Sequence, residues 1–142
     1  MNLPTLATDN ITELLLKIIT FTQTRQKILI QNINAMHRAG FEPKDLPVDE
    51  FSTLMQLAVT EHIHNQRLVL CDGPNVKFGA NGSFEAIPAI DEQARRLLGQ
   101  NRDEYLRNQI CKLLENSLNQ RIATELLKNK HANEQFLGRC LN

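Results

Sequence analysis

Glu61-His62-Ile63-His64 is the densest group of side chains in this chain able to bind a metal or move a proton. Two histidines at i and i+2 share one face of a strand but point to different faces of a helix. The surrounding pattern is helical, so the group is expected to be an exposed polar helix end and not a ligand set. Cys71, Cys111 and Cys140 are odd in number and far apart, with no Cys-x-x-Cys. Neither a zinc knuckle nor a redox pair is indicated. Cys111 lies in a helical pattern and is expected as a small core residue, and Cys140 as a free thiol near the C-terminus. Gly79-Ala80-Asn81-Gly82 lacks the Gly-Lys-Ser/Thr that a phosphate loop needs. His131 is expected to serve packing or the surface. No nucleophile stands beside a base, and no walled pocket is foreseen. The chain is expected not to be an enzyme, with no cofactor and no metal.

Composition narrows the partners. Lys+Arg and Asp+Glu are 16 each, giving zero net charge. A nucleic-acid binder normally carries a basic excess, so neither nucleic acid nor an anionic membrane surface is expected as partner. The richest apolar run, residues 11–21, contains Glu13 and Lys17 and falls short of the 18 or so residues that span a bilayer. The N-terminus has no basic region before an apolar core, so export through the general secretory route is not expected. Aromatic content is 5%, with no Trp and one Tyr. Leu/Ile packing between helices is therefore expected in place of a large aromatic core.

The elements that must position these residues are mostly helical. Residues 1–7, broken by Pro4, read as a segment disordered until bound. Thr8 or Asp9 is a candidate cap for a helix over residues 8–38. Its stripe is Ile11, Leu14, Leu15, Ile18, Phe21, Ile28, Leu29, Ile33 and Met36, mostly at three- and four-residue steps. Leu16, Ile19 and Ile30 widen it. Gly40 breaks the helix, and Pro43 pushes its predecessor out of the α region. A second helix over 49–65, with Asp49 as cap, presents Phe51, Leu54, Met55, Ala58, His62 and Ile63. Residues 66–100 read as a loop region with one hairpin. Leu68-Val69-Leu70 is a candidate strand, Asp72-Gly73 and Asn81-Gly82 are turn signals, and Asp91–Leu98 is a candidate short helix before Gly99. Asn101 and Glu104 form a capping-box pattern that opens the last helix, over 101–141. Its apolar positions are Leu106, Ile110, Leu113, Leu114, Leu118, Ile122, Leu126 and Leu127. The fold class is all-α: two long terminal helices, a short middle helix and an irregular centre, in one domain.

Two stretches carry a resemblance. Bacterial flagellar axial proteins share a signature after their first helix, roughly Arg-x-x-aliphatic-aliphatic-x-x-Asn-Ile-Ala-Asn-Ala-x-Thr-Pro-Gly-Tyr-Lys-Ala-x-Asp. Here Arg25, Ile28, Leu29, Asn32, Ile33, Gly40 and Asp45 fall in place without a gap, and Phe41 stands where Tyr is usual. Asn34-Ala35 replaces Ala-Asn, and Arg38-Ala39 replaces Thr-Pro. The last helix resembles that of the proximal rod protein of the flagellar basal body, the FlgB family. It reads Glu115-Asn116-Ser117-Leu118, then Leu126-Leu127 and Lys130, with His131 where Phe is usual. Residues 49–60 are similar to the family's short second helix. The likeness covers most of 8–45 and 101–141 and leaves 68–90 unmatched.

The resemblance implies a structural subunit of the rod, needed for flagellum-dependent motility. It implies that the terminal helices pack as a coiled-coil-like hairpin and self-associate into a tube. It implies export by the flagellar type III system, with residues 1–7 as an uncleaved signal, and a place in the periplasmic rod. The implied partners are other rod subunits, the export gate and the junction protein of the MS ring. Arg25, Asn32, Ile33, Gly40 and Phe41 would shape the turn after the first helix and touch neighbouring subunits. Ile110, Leu114, Leu118 and Ile122 form one row of the last helix, and Leu113, Leu126 and Leu127 extend to a neighbouring row. One hairpin covers only one such row well, so the other is expected to meet a second chain. The alternative is a cytoplasmic helical adaptor or type III export chaperone, whose stripes bind a client helix.

Overall fold

The computed structural model describes residues 3–79 and 83–140, and side chains over 10–79 and 83–132. Four helices and four short strands follow in the order α1 (Leu3–Asn34), β1 (Lys44–Asp45), α2 (Val48–Asn65), β2 (Val76–Phe78), β3 (Phe84–Ala86), β4 (Ala89–Ile90), α3 (Glu92–Gln100) and α4 (Arg102–Cys140). The chain is mostly helical, as expected, but it also builds two small sheets.

Helix α1 starts at Leu3, five residues before the expected cap at Thr8 or Asp9. The stretch expected to be disordered is therefore helical from its third residue. Pro4 does not prevent this, because a first-turn N–H has no intrahelical partner to lose. Helix α1 ends at Asn34, four residues before the expected end at Arg38, in a turn that carries the chain to Gly40. Gly40 has φ +74°, in the left-handed region that a Cβ disfavours. The break expected at Gly40 is real, and the extended segment after it becomes β1.

Strand β1 pairs antiparallel with β4, Lys44 opposite Ile90 and Asp45 opposite Ala89. Strands β2 and β3 form an antiparallel hairpin with Val76 opposite Ala86 and Phe78 opposite Phe84. The hairpin occupies part of the expected loop region, while the Asn81-Gly82 turn lies outside the described residues. Leu68-Val69-Leu70 is not a strand. Leu68 and Leu70 instead pack as irregular chain on the main core.

That core lies between α1, α2 and the hairpin. Leu14 and Phe21 of α1 meet Phe51, Leu54, Met55 and Ala58 of α2, with Val76 and Leu46 completing the cluster. Burial of such side chains contributes roughly 1.5–3 kcal/mol each. Phe21 and Phe51 stack with centroids 4.0 Å apart. Phe84 closes on Phe51 edge-on at 5.7 Å and on Phe78 at 5.4 Å. The low aromatic content thus conceals its concentration: four of the six phenylalanines gather in one cluster. On α2, Ile63 was expected on the core face but is exposed, whereas His62 is half-buried against Asn10 of α1.

The capping chemistry differs at one helix. Pro47 occupies the N-cap of α2 and makes no side-chain cap bond. Asp49, expected as the cap, lies in the first turn with Glu50, where a negative charge still suits the helix dipole. At α3, the Asp91 carboxylate accepts from the Ala94 N–H at 3.1 Å. At α4, the Asn101 side chain accepts from the Glu104 N–H at 3.2 Å.

Candidate assembly interface

Helix α4 lies along α1 in the opposite direction. Tyr105 and Gln109 meet Asn32, Asn116 meets Thr22, and Lys130 meets Thr12. The inner row of α4 is Tyr105, Gln109, Asn116 and Ala123, all buried. Their spacing of four and seven residues keeps them on one helix face. Facing them on α1 are buried Thr22, Arg25 and Asn32. The seam between the two long helices is therefore largely polar, and it is closed by hydrogen bonds.

Asn32 is the centre of that seam. Its Nδ2 donates to the Lys44 carbonyl at 2.7 Å and to Gln109 Oε1 at 2.9 Å, and its Oδ1 accepts from the Lys44 N–H at 3.2 Å. The Tyr105 hydroxyl donates to the Asn32 carbonyl at 2.7 Å. The Asn116 side chain donates to the Thr22 carbonyl at 2.8 Å. Both ends of the corner after α1 are thus held by one amide, which binds the backbone of β1 as a paired strand would.

Arg25 closes the same corner. Its Nε and Nη2 donate to the two carboxylate oxygens of Asp45 at 2.8 and 2.9 Å, a bidentate fork. Lys112 of α4 reaches Asp45 at 3.6 Å and donates to Asp91 at the start of α3. Burial pushes the Asp91 carboxyl up, but the hydrogen bonds from Lys112 and the Ala94 N–H and the Lys112 charge outweigh it, and the net shift is downward. Burial, assisted by the Asp91 charge, pushes the Tyr105 phenol up to about 12.

The expected interface residues divide in two. Arg25 and Asn32 are buried and make internal hydrogen bonds to Asp45, Lys44 and Gln109. Ile33 and Phe41 are half-buried, and Gly40 is exposed. The apolar positions of α4 behave in the opposite way. Ile110, Leu114, Leu118, Ile122 and Leu126 are 41%, 65%, 58%, 49% and 51% exposed. They recur every four residues and make one continuous ridge. Leu126, expected in the neighbouring row, belongs to this ridge, whereas Leu113 and Leu127 are half-buried. Among the described side chains of α4, no Leu or Ile is among the buried core residues.

Among the remaining candidates, Cys111 is exposed and not in the core. It precedes the half-buried Lys112 and so turns away from the polar seam. Glu61 accepts from Arg67 and from Asn65, and the Arg67 hydrogen bond holds its carboxyl below the usual range. His62 Nδ1 lies 3.4 Å from Asn10 Nδ2. Among the described residues, no three potential metal ligands gather, and no helix is long and apolar enough to cross a membrane.

Tyr105, Gln109, Lys112 and Asp91 escaped sequence analysis. The signal was present: Tyr105, Gln109, Asn116 and Ala123 recur at helical spacing. A search for apolar stripes passes over a row made mostly of polar residues. No protein-family profile, no curated protein and no solved structure matches the chain.

Proposed function

We propose that the protein is a structural subunit of the flagellar basal-body rod, of the proximal kind. It is exported by the flagellar type III system, assembles through its terminal helices and is needed for motility. Its neighbours are other rod subunits, the export gate and the MS-ring junction protein. Helices α1 and α4 act as a coiled-coil-like hairpin whose inner seam is satisfied within the chain.

The observation that carries this proposal is the exposed ridge of α4. Five large aliphatic side chains at four-residue steps are exposed on α4, while Tyr105, Gln109 and Asn116 are buried against α1. A free monomer gains nothing from that arrangement, and contiguous exposed apolar surface marks interaction sites. An assembling subunit gains the burial of the ridge at each contact. The signature residues Arg25, Asn32 and Asp45 support the proposal from inside, because their bonds fix the corner that sets α2 beside the helix pair.

The experiment is Leu118→Asp. An unpaired charge in an apolar seam costs several kcal/mol, whereas at a solvated position it costs little. The variant is expected to keep its circular dichroism, to be found outside the cytoplasm and to leave cells without hook, filament or motility. Motile cells with intact basal bodies would contradict the proposal. A chain that stays in the cytosol bound to a client would favour the adaptor alternative.

A further inference from the structure

A groove of about 510 Å³ runs between α2 and α4 across α1. Leu15, Phe21, Phe51, Met55, Ile122 and Leu126 give it an apolar lining, and Asp49 and Glu115 stand beside them. The ridge of α4 enters this groove at one end only. Four residues of helix advance the side-chain direction by about 40° beyond a full turn. From Ile110 to Leu126 the ridge therefore winds around roughly half of the helix. Ile122 and Leu126 reach the groove, while Ile110, Leu114 and Leu118 line none of it and lie on the outer side.

We infer that the outer ridge of one copy, Ile110-Leu114-Leu118, docks into the α2/α4 groove of a second copy of this chain. The inference rests on the assembly part of the proposed function and names its contact. A ridge at four-residue steps is the shape that fits between helical ridges of a partner. Charge selects the same occupant. Arg107 and Arg121, three residues before Ile110 and three after Leu118, neighbour the ridge on the helix surface and are exposed with no ion-pair partner among the described residues. Asp49 at the groove is likewise exposed and unpaired. Ridge and groove are different patches of one molecule, so a head-to-tail contact between them closes into a ring or continues as a helical array.

Two double variants test this by sedimentation. Leu114→Glu with Leu118→Glu removes the ridge, and Ser52→Arg with Asn119→Arg fills the groove. All four positions are exposed, so circular dichroism, and the urea midpoint at concentrations where wild type is monomeric, are expected to match wild type. Wild type is expected to associate with rising concentration, and each variant alone to stay monomeric. The two variants mixed are expected to form a one-to-one dimer that grows no further, since one intact ridge then meets one intact groove. A wild-type chain that is monomeric throughout, a single variant that still associates, or a mixture that stays monomeric would overturn the inference. Should a double variant misfold, single cysteines in chains whose own cysteines are changed to Ser give the same answer. Leu114→Cys is expected to form a disulfide with Asn119→Cys of another chain faster than with itself, and equal rates would overturn the contact. Cellular location plays no part in these measurements. A chain confined to the cytosol would end the rod proposal and leave the ridge–groove contact standing.

Discussion

Asn32 binds β1 and Gln109 with one side-chain amide, and its carbonyl receives Tyr105. Asn32→Ala strands the Lys44 backbone and the Gln109 side chain in a closed seam. Each such group costs about 1–3 kcal/mol, so a loss of about 2–4 kcal/mol is expected in urea unfolding. A loss near zero would show that the seam is open to water. Tyr105 is the single tyrosine, so tyrosinate absorbance reports it alone. Its folded value of about 12 stands above the ordinary 10. The unfolded chain therefore loses its phenolic proton first, and this contribution to stability holds below pH 10 and is lost between 10 and 12. Tyr105→Phe is expected to abolish that alkaline loss. Asp91 has the opposite sign. Its carboxyl is held below 3.8 in the folded chain, so the unfolded chain binds the extra proton and stability falls as pH drops below that value. In Lys112→Met only the backbone N–H groups of Ala94 and Gln93 still oppose burial, so the downward shift shrinks and the acid loss is expected to be smaller.

At the scale of elements, α1 was legible because its stripe is apolar. Leu14, Phe21 and Leu29 all prove buried. Leu29→Ala is expected to cost about 2–5 kcal/mol. Helix α4 was legible as a helix, through its cap and its period, but its orientation was not. Its best apolar row points away from α1, because α1 offers Thr22, Arg25 and Asn32 at the contact and these need polar partners. Periodicity says that a row exists and not which row a neighbour will choose. Leu127, half-buried, is a poorer probe of assembly than Leu118. The buried seam sets where amide exchange is slow, since residues 21–32 and 105–116 share its closed contacts. Both segments are expected to exchange slowly in a monomer, and rapid exchange over 21–32 would contradict the packing.

For the whole molecule, the helices, the break at Gly40 and the central hairpin could be read from local signals, whereas the β1–β4 pairing could not. Strands of two and three residues carry no periodicity, and β1 meets β4 across more than forty residues of sequence. Such pairs are fixed by the elements around them. The aromatic cluster was hidden for the same reason, since Phe21, Phe51, Phe78 and Phe84 come from four elements, α1, α2, β2 and β3. What emerges is a chain whose buried polar side chains, among the described residues, are satisfied internally and whose longest helix turns Leu and Ile outward. That division suits a subunit completed by its neighbours. The most direct measurement is to isolate basal bodies from cells carrying the gene and probe them, with the cytosol, for this chain. The account predicts the chain in the basal-body fraction, and its loss from that fraction in Leu118→Asp. Recovery of the wild-type chain from the cytosol alone would contradict it.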